Sequence, residues 1–214
     1  IQMSQDGKVV QLPELLDKYP ELRLSIKETT TKNIIRLIKS ADLDAGILST
    51  PLELAGLEED VLYYEKLMVY GKTGRKNVKY LRPKDLAIEN LWLLEKGNCL
   101  TDQVINVCSL NPIELNRNLA FQPRSFESLI NIVDRMNGVT LIPELYYRDL
   151  PHEKQRMVSD FVLPYPVREI SLVFYRPYAK QRLLDAVSKE IKRIICPQLT
   201  SSRLRNNEMM IAGM

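Results

Sequence analysis

Short apolar runs take turns with amphipathic helical stretches along this chain. That alternation restricts it to architectures in which helices pack on a sheet of mostly parallel strands. Leu12 to Pro20 reads as a helical segment closed by a proline, and Leu22-Arg23-Leu24-Ser25-Ile26 alternates strictly, as a half-buried strand does. Thr29-Thr30-Thr31 then offers cap hydroxyls to a helix ending near Ser40, with Ile34, Ile35, Leu37 and Ile38 on its buried stripe. Asp42 to Leu48 is a short apolar run between turn formers, expected to be a buried parallel strand. The order is therefore β, α, β.

The pattern then repeats. Val61 to Tyr70 is rich in β-formers, and the charged, glycine-punctuated loop Gly71 to Asn77 is where the chain is expected to leave its first lobe. Beyond it, Leu91 to Leu94 reads as a strand, Thr101 to Leu110 as a short helix, Ser125 to Met136 as a capped helix and Val139 to Pro143 as a strand. Ile170 to Tyr175 is a further strand. Lys180 to Ile195 is a helix with Leu183, Leu184, Val187, Ile191 and Ile194 on one face, and the tail from Ser201 to Met214 is expected to fray. Two such groups joined by a polar hinge suggest an α/β protein of two lobes with a ligand-sized cleft; a single doubly wound sheet with a long insertion is the alternative.

Composition removes several function classes. A formal charge of +3, evenly spread, is too slight for a nucleic-acid footprint. Apolar runs fall short of a membrane span and the first residues do not resemble an export signal, so a cytoplasmic protein with no membrane contact is expected. Three cysteines and one histidine, His152, support neither a disulfide framework nor a metal site nor histidine-based catalysis. His152 and the clusters Arg75-Lys76 and Arg203 with Arg205 read as solvated surface. The thiols remain.

Gly97 and Asn98 are turn and cap formers, which places Cys99 at or near the first turn of a helix, where unpaired N–H groups favour a thiolate. Cys108 follows nine positions on, on the opposite face and about 13 Å along an intact helix. A disulfide needs Cα atoms within about 7 Å, so joining these two sulfurs requires the helix to unwind or bend. Such a bond would be strained and easily reduced. Free cysteine is also a common small core residue, so the residues alone leave open whether the thiols react. Cys108 looks buried, and Cys196, before Pro197, reads as a bystander.

The run Leu94 to Gln103, with Cys108 following, resembles the redox segment of the peroxide-sensing branch of the LysR-type transcriptional regulators. Leu12-Pro13-Glu14-Leu15-Leu16, Tyr19-Pro20-Glu21-Leu22, Leu43 to Ile47, Ser125 to Val133, Gly138 to Pro143 and Leu172 to Pro177 are similar to the effector domains of that family. The resemblance implies a two-lobed, type 2 periplasmic-binding-protein-like regulatory domain. It assigns 1–70 and 171–214 to one lobe and 71–170 to another carrying the cysteines, with a winged helix-turn-helix domain absent from this chain.

The resemblance further implies that hydrogen peroxide oxidises Cys99, that Cys108 resolves the sulfenic acid into a disulfide, and that Thr31, Asp102, Gln103 and Arg176 surround the peroxide. It implies a sensor that is not an enzyme and uses no cofactor. Its partners would be a second copy in a homodimer or tetramer, promoter DNA through the missing domain, RNA polymerase, and glutaredoxin or thioredoxin as reductant.

Three positions depart from the pattern: Asn98 stands where a histidine is usual, Thr101 where a basic residue occurs, and residues 1–11 lack the family's opening strand, Ser4 being the nearest hydroxyl. Competing readings are an effector domain that binds a small inducer between its lobes with inert thiols, a solute-binding protein, a thiol peroxidase, and a glutathionylation or nitrosothiol sensor using Cys99 alone.

Overall fold

The computed structural model describes residues 2–3, 16–52, 54–73, 80–86, 90–110, 121–175 and 181–213. Arg176, Arg75, Lys76 and Ser4 lie outside them. The chain forms two compact units, residues 1–64 with 169–202 and residues 65–168 with 203–214.

In the first unit, β1 (Gln2–Met3) runs parallel to β2 (Lys27–Glu28) and to β3 (Gly46–Thr50). Strand β3 pairs antiparallel with β8 (Tyr165–Tyr175), from Gly46 opposite Val173 to Thr50 opposite Glu169. All five residues of β3 are buried, as expected for a strand covered on both faces. Alternate residues supply the two faces. Ile34 and Ile38 of helix α1 (Thr31–Lys39) pack with Leu48 and Val173, whereas Ile47, Ile170, Leu172 and Phe174 pack with Leu184 of a second helix on the other side. Gly46 makes the first contact possible, because a Cβ there would stand 2.3 Å from Ile34 Cγ2.

The second unit is built on the end of β4 (Leu57–Gly71), where Leu67 to Gly71 pair antiparallel with β6 (Val139–Pro143). Val69 and Tyr70 also pair antiparallel with β7 (Val158–Phe161), which lies parallel to β5 (Tyr80–Leu81). Helices α2 (Cys99–Val107) and α3 (Phe126–Met136) bury Leu100, Val104, Leu129, Ile130 and Val133 in this unit's core. Each such side chain contributes roughly 1.5–3 kcal/mol when fully buried. The short helices α4 (Glu144–Arg148) and α5 (His152–Gln155) follow β6.

Four sequence expectations need correction. Leu22 to Ile26 alternates in burial yet makes no ladder; only Lys27–Glu28 finds a strand partner, since alternation fixes faces and not pairing. Leu91 makes one isolated bridge to Val139, and Trp92 to Leu94 form no ladder; Trp92 and Leu94 are buried, and Leu93 half-buried, by packing rather than by sheet membership. The tail does not fray. It forms β9 (Met209–Ile211) parallel to Tyr165–Val167, with Ala212 buried and its N–H donated to Val167 O at 2.7 Å.

The fourth correction concerns helix α6 (Gln181–Ile195), where Leu183 is exposed. The rest of the expected face holds, with Leu184 and Val187 buried and Ile191 packed against the core, and Ser188, Glu190 and Ile195 are buried beside them. Glu190 is tolerated there because Lys18 and Arg193 both pair with it. The chain changes unit within β4 and β8, at 64/65 and 168/169, and residues 203–214 lie in the second unit because β9 pairs with that unit's end of β8.

Candidate functional site

Helix α2 carries two of the three thiols, one at each end. Gly97, at φ +91°, turns the chain into Asn98, whose Oδ1 accepts from Leu100 N–H at 2.9 Å. Asn98 is therefore the N-cap, a position that favours a short side-chain acceptor. Thr101 donates its hydroxyl to Leu94 O at 2.9 Å and ties the first turn to the preceding extended segment. Both departures from the family pattern have a structural role here: they fix the helix start.

Cys99 is the first residue of α2 and is 4% exposed. Its place among N–H groups that lack intrahelical acceptors is one where negative charge is favoured. One turn on, Gln103 is 0% exposed, and neither its Oε1 nor its Nε2 has a hydrogen-bond partner. Residues four apart share a helix face and side chains lean toward the N-terminus, so this uncommitted amide belongs to the Cys99 turn. Asp102 is exposed in the first turn, where a carboxylate supports the helix start.

At the far end Cys108 is the C-cap, its N–H donated to Val104 O at 3.0 Å. It is half-buried rather than fully buried, and desolvation pushes its thiol up to about 12. Ser109 follows at φ +50°, a left-handed turn that few residues besides glycine adopt readily. Cys99, Cys108 and Cys196 are not disulfide-bonded. With α2 intact, Cys99 and Cys108 are about 13 Å apart along the axis on opposite faces.

Thr31 is the first residue of α1, in the first unit. The capping hydroxyl is that of Thr30, which accepts from Asn33 N–H at 3.4 Å, while Thr29 accepts from the Asn33 amide at 3.0 Å. Thr31 is left out of the capping arrangement. The structure thus gathers Cys99, Asp102, Gln103 and Cys108 on one helix and places Thr31 in the other unit. Cys196, half-buried, donates to Leu62 O at 3.6 Å and has its thiol raised by burial. His152, Arg203 and Arg205 are exposed.

Three features escape the sequence reading. In the second unit, Glu65 and Arg168 form a fully buried ion pair at 2.8 Å, with Leu145 N–H donated to the same carboxylate at 2.8 Å. In the first, Glu169 accepts from Thr50 at 2.7 Å and Tyr64 at 2.9 Å, and burial followed by that carboxylate raises the Tyr64 phenol. Third, a cleft of about 590 Å³ in the second unit is lined by Arg82, Lys84, Cys108, Ser109, Val162 and Leu163. No local motif announces any of these, since each joins residues distant in sequence. Among the described residues no cluster of three or more metal-ligating side chains occurs, and no helix is long and apolar enough to cross a membrane.

The LysR substrate binding domain family matches residues 10–193. The hydrogen peroxide-inducible genes activator of Pectobacterium carotovorum subsp. carotovorum is 32% identical over 171 residues, covering 78% of this chain and 55% of that protein. The DNA-binding transcriptional dual regulator OxyR of Escherichia coli K12 is 31% identical, covering 78% of this chain and 54% of that protein. The chain thus spans about half the length of these relatives. The crystal structure of OxyR from Porphyromonas gingivalis superposes with a TM-score of 0.83 at 24% identity, over 99% of this chain and 98% of that one, which establishes the shared fold.

Proposed function

Because this chain belongs to the LysR substrate binding domain family, we propose that it is the regulatory part of a transcription regulator that senses hydrogen peroxide through Cys99 and Cys108. The observation that carries the reading is the composition of α2: a buried cysteine in its first turn, an uncommitted buried amide one turn later, and a second thiol closing the helix.

In this reading the Cys99 thiolate attacks one peroxide oxygen, the O–O bond breaks, and Cys99 becomes a sulfenic acid as hydroxide leaves and takes a proton. The Gln103 amide, with donors and an acceptor to offer, is suited to hold the peroxide or the nascent sulfenic acid. Cys108 then attacks Sγ of Cys99. The S–S bond forms, the S–O bond breaks, and the second oxygen departs as water. Two thiols and one peroxide give one disulfide and two waters.

Forming that bond requires α2 to open, since its ends are nine residues apart. Opening exposes Leu100, Val104 and Val107 and frees the Gln103 amide to find partners, so the rearrangement is both costly and large enough to act as a signal. The thiols are consumed once per event, as in a sensor and not an enzyme. The remodelled segment would alter a homodimer or tetramer, and through a DNA-binding segment the contacts with promoter DNA and RNA polymerase. Glutaredoxin or thioredoxin would return it to the dithiol state in the cytoplasm.

Peptide mapping by mass spectrometry after micromolar peroxide tests the proposal. A Cys99–Cys108 crosslink is expected; two unmodified thiols, or stable sulfenic acid on wild-type protein, would overturn it.

A further inference from the structure

We infer that β9 and the two residues after it, Met209 to Gly213, are a latch on the last turn of α2, with Asn106 as the positioning residue it holds. The inference deepens the peroxide-switch reading and rests on it for the closure step. Release of this contact sets how fast Cys108 reaches Cys99.

Two positions before Cys108, the side-chain Nδ2 of Asn106 donates to Gly213 O at 2.8 Å, joining residues 107 positions apart. The donor is exposed, but its acceptor is fixed from the other side. Met209 to Ile211 pair with Tyr165 to Val167, and Ala212, 2% exposed, donates its N–H to Val167 O at 2.7 Å. Ala212 is buried in the same core as Leu100, Val104 and Val107 of α2. Val167 is itself fully buried and is followed by Arg168, whose buried ion pair with Glu65 holds that end of β8. These anchors on β8 and β4 do not belong to α2, so Gly213 O keeps its place when the helix opens.

The two ends of α2 are tied differently. Its start is held by two buried hydrogen bonds, from Leu100 N–H to Asn98 Oδ1 and from the Thr101 hydroxyl to Leu94 O. Its last turn runs out into Cys108, which is half-buried, and Ser109, which is exposed and left-handed. A hydrogen bond open to water exchanges partners at small net cost, so this end opens first, and opens by letting go of Gly213. Bringing Cα atoms about 13 Å apart to within about 7 Å moves Cys108 by at least about 6 Å when the start stays in place. Asn106 is carried with it, and a hydrogen bond of 2.8 Å does not survive such a shift.

The latch therefore belongs to the dithiol state alone. It slows formation of the disulfide and favours its reduction, because the bond to Gly213 is available again once α2 closes. The reaction of Cys99 with peroxide is left alone, since Asn106 lies about two turns from that sulfur.

The test uses Asn106→Ser, which withdraws the donor while keeping a residue of similar helix propensity, and a chain ending at Ile211, which withdraws the acceptor. Hydrogen exchange is measured first, on the reduced protein. The Cys108 and Leu110 amides should exchange about fivefold faster in Asn106→Ser, while those of α3 keep their wild-type rates. After peroxide, timed dimedone trapping should show the Cys99 sulfenic acid forming at the wild-type rate and giving way to the disulfide about fivefold faster. The shortened chain should show at least the same acceleration, and adding Asn106→Ser to it should change nothing further, because both remove one contact. Unchanged exchange at Cys108, faster exchange throughout α3, additive effects of the two changes, or a faster reaction of Cys99 itself overturns the latch. If peroxide forms no disulfide in the wild-type protein, the functional reading fails, and the exchange rates alone decide whether Met209 to Gly213 hold α2.

Discussion

The two ends of helix α2 carry the same functional group in opposite settings. At the start, Asn98 caps the helix, Thr101 pins it to Leu94, and Cys99 sits buried beside an amide with no partner. At the end, Cys108 stands half-buried over a cationic cleft, followed by a left-handed Ser109 and held protonated by desolvation. Backbone direction alone makes the ends unequal, because a helix presents N–H groups at one terminus and C=O groups at the other. Nine residues thus separate a sulfur placed to become an anion from one placed to stay neutral until the helix opens.

The comparison breaks most visibly when either sulfur is removed. Cys99→Ser should abolish peroxide-driven disulfide formation altogether, and the protein should show no sulfenic acid with a dimedone probe. Cys108→Ser should still oxidise and should accumulate a dimedone-reactive Cys99. Identical behaviour of the two variants would mean that the ends of the helix are chemically equivalent.

Gln103 supplies the next largest effect. A buried amide without partners costs about 1–3 kcal/mol relative to an apolar group of the same shape. Gln103→Leu should therefore raise the unfolding free energy of the reduced protein by that order, measured by urea denaturation under reductant. It should also make the disulfide easier to reduce, since it stabilises the closed helix. A destabilised variant would show that Gln103 is satisfied in solution. Asn98→Ala comes next: loss of the cap should cost about 1 kcal/mol, and Asn98→His should not recover it, because the cap needs a short acceptor.

Much of this site was legible from local signals. Gly97-Asn98 before an apolar run announced the start of α2, Ser125 announced α3, and Gly138 preceded a strand matching Val139–Pro143 residue for residue. These features depend on interactions within a few residues. What escaped depends on the fold. Glu190 looks like a solvated residue until Lys18 reaches it from a segment 172 positions away. Met209 to Ile211 becomes a strand only because β8 offers an edge. Leu91 to Leu94 is as apolar as a strand, with Leu91, Trp92 and Leu94 buried, yet forms a single bridge. Arg82 and Lys84 come to Cys108 through the pairing of β5 with β7, which no spacing in the sequence encodes.

The smallest effect near neutrality is the one expected from the protonation of Cys108. Its thiol is raised from about 9 to about 12 by desolvation, so the folded protein holds this proton where the unfolded chain releases it. A group whose folded value lies above its unfolded value stabilises the protein fully below the unfolded value and loses that contribution as pH rises through the folded one. Wild-type stability should accordingly be insensitive to this group's titration around pH 7, where the contribution is fully present, and should fall between about pH 9 and pH 12. Cys108→Ala removes the titration, so the stability difference between wild type and variant should be constant from pH 6 to 8 and should narrow above pH 9. Iodoacetamide should modify Cys108 slowly throughout the neutral range and progressively faster above it. A flat difference across the alkaline range, or alkylation of Cys108 already complete at pH 7, would mean that the end of the helix is open to water and that the contrast with Cys99 rests on the helix start alone.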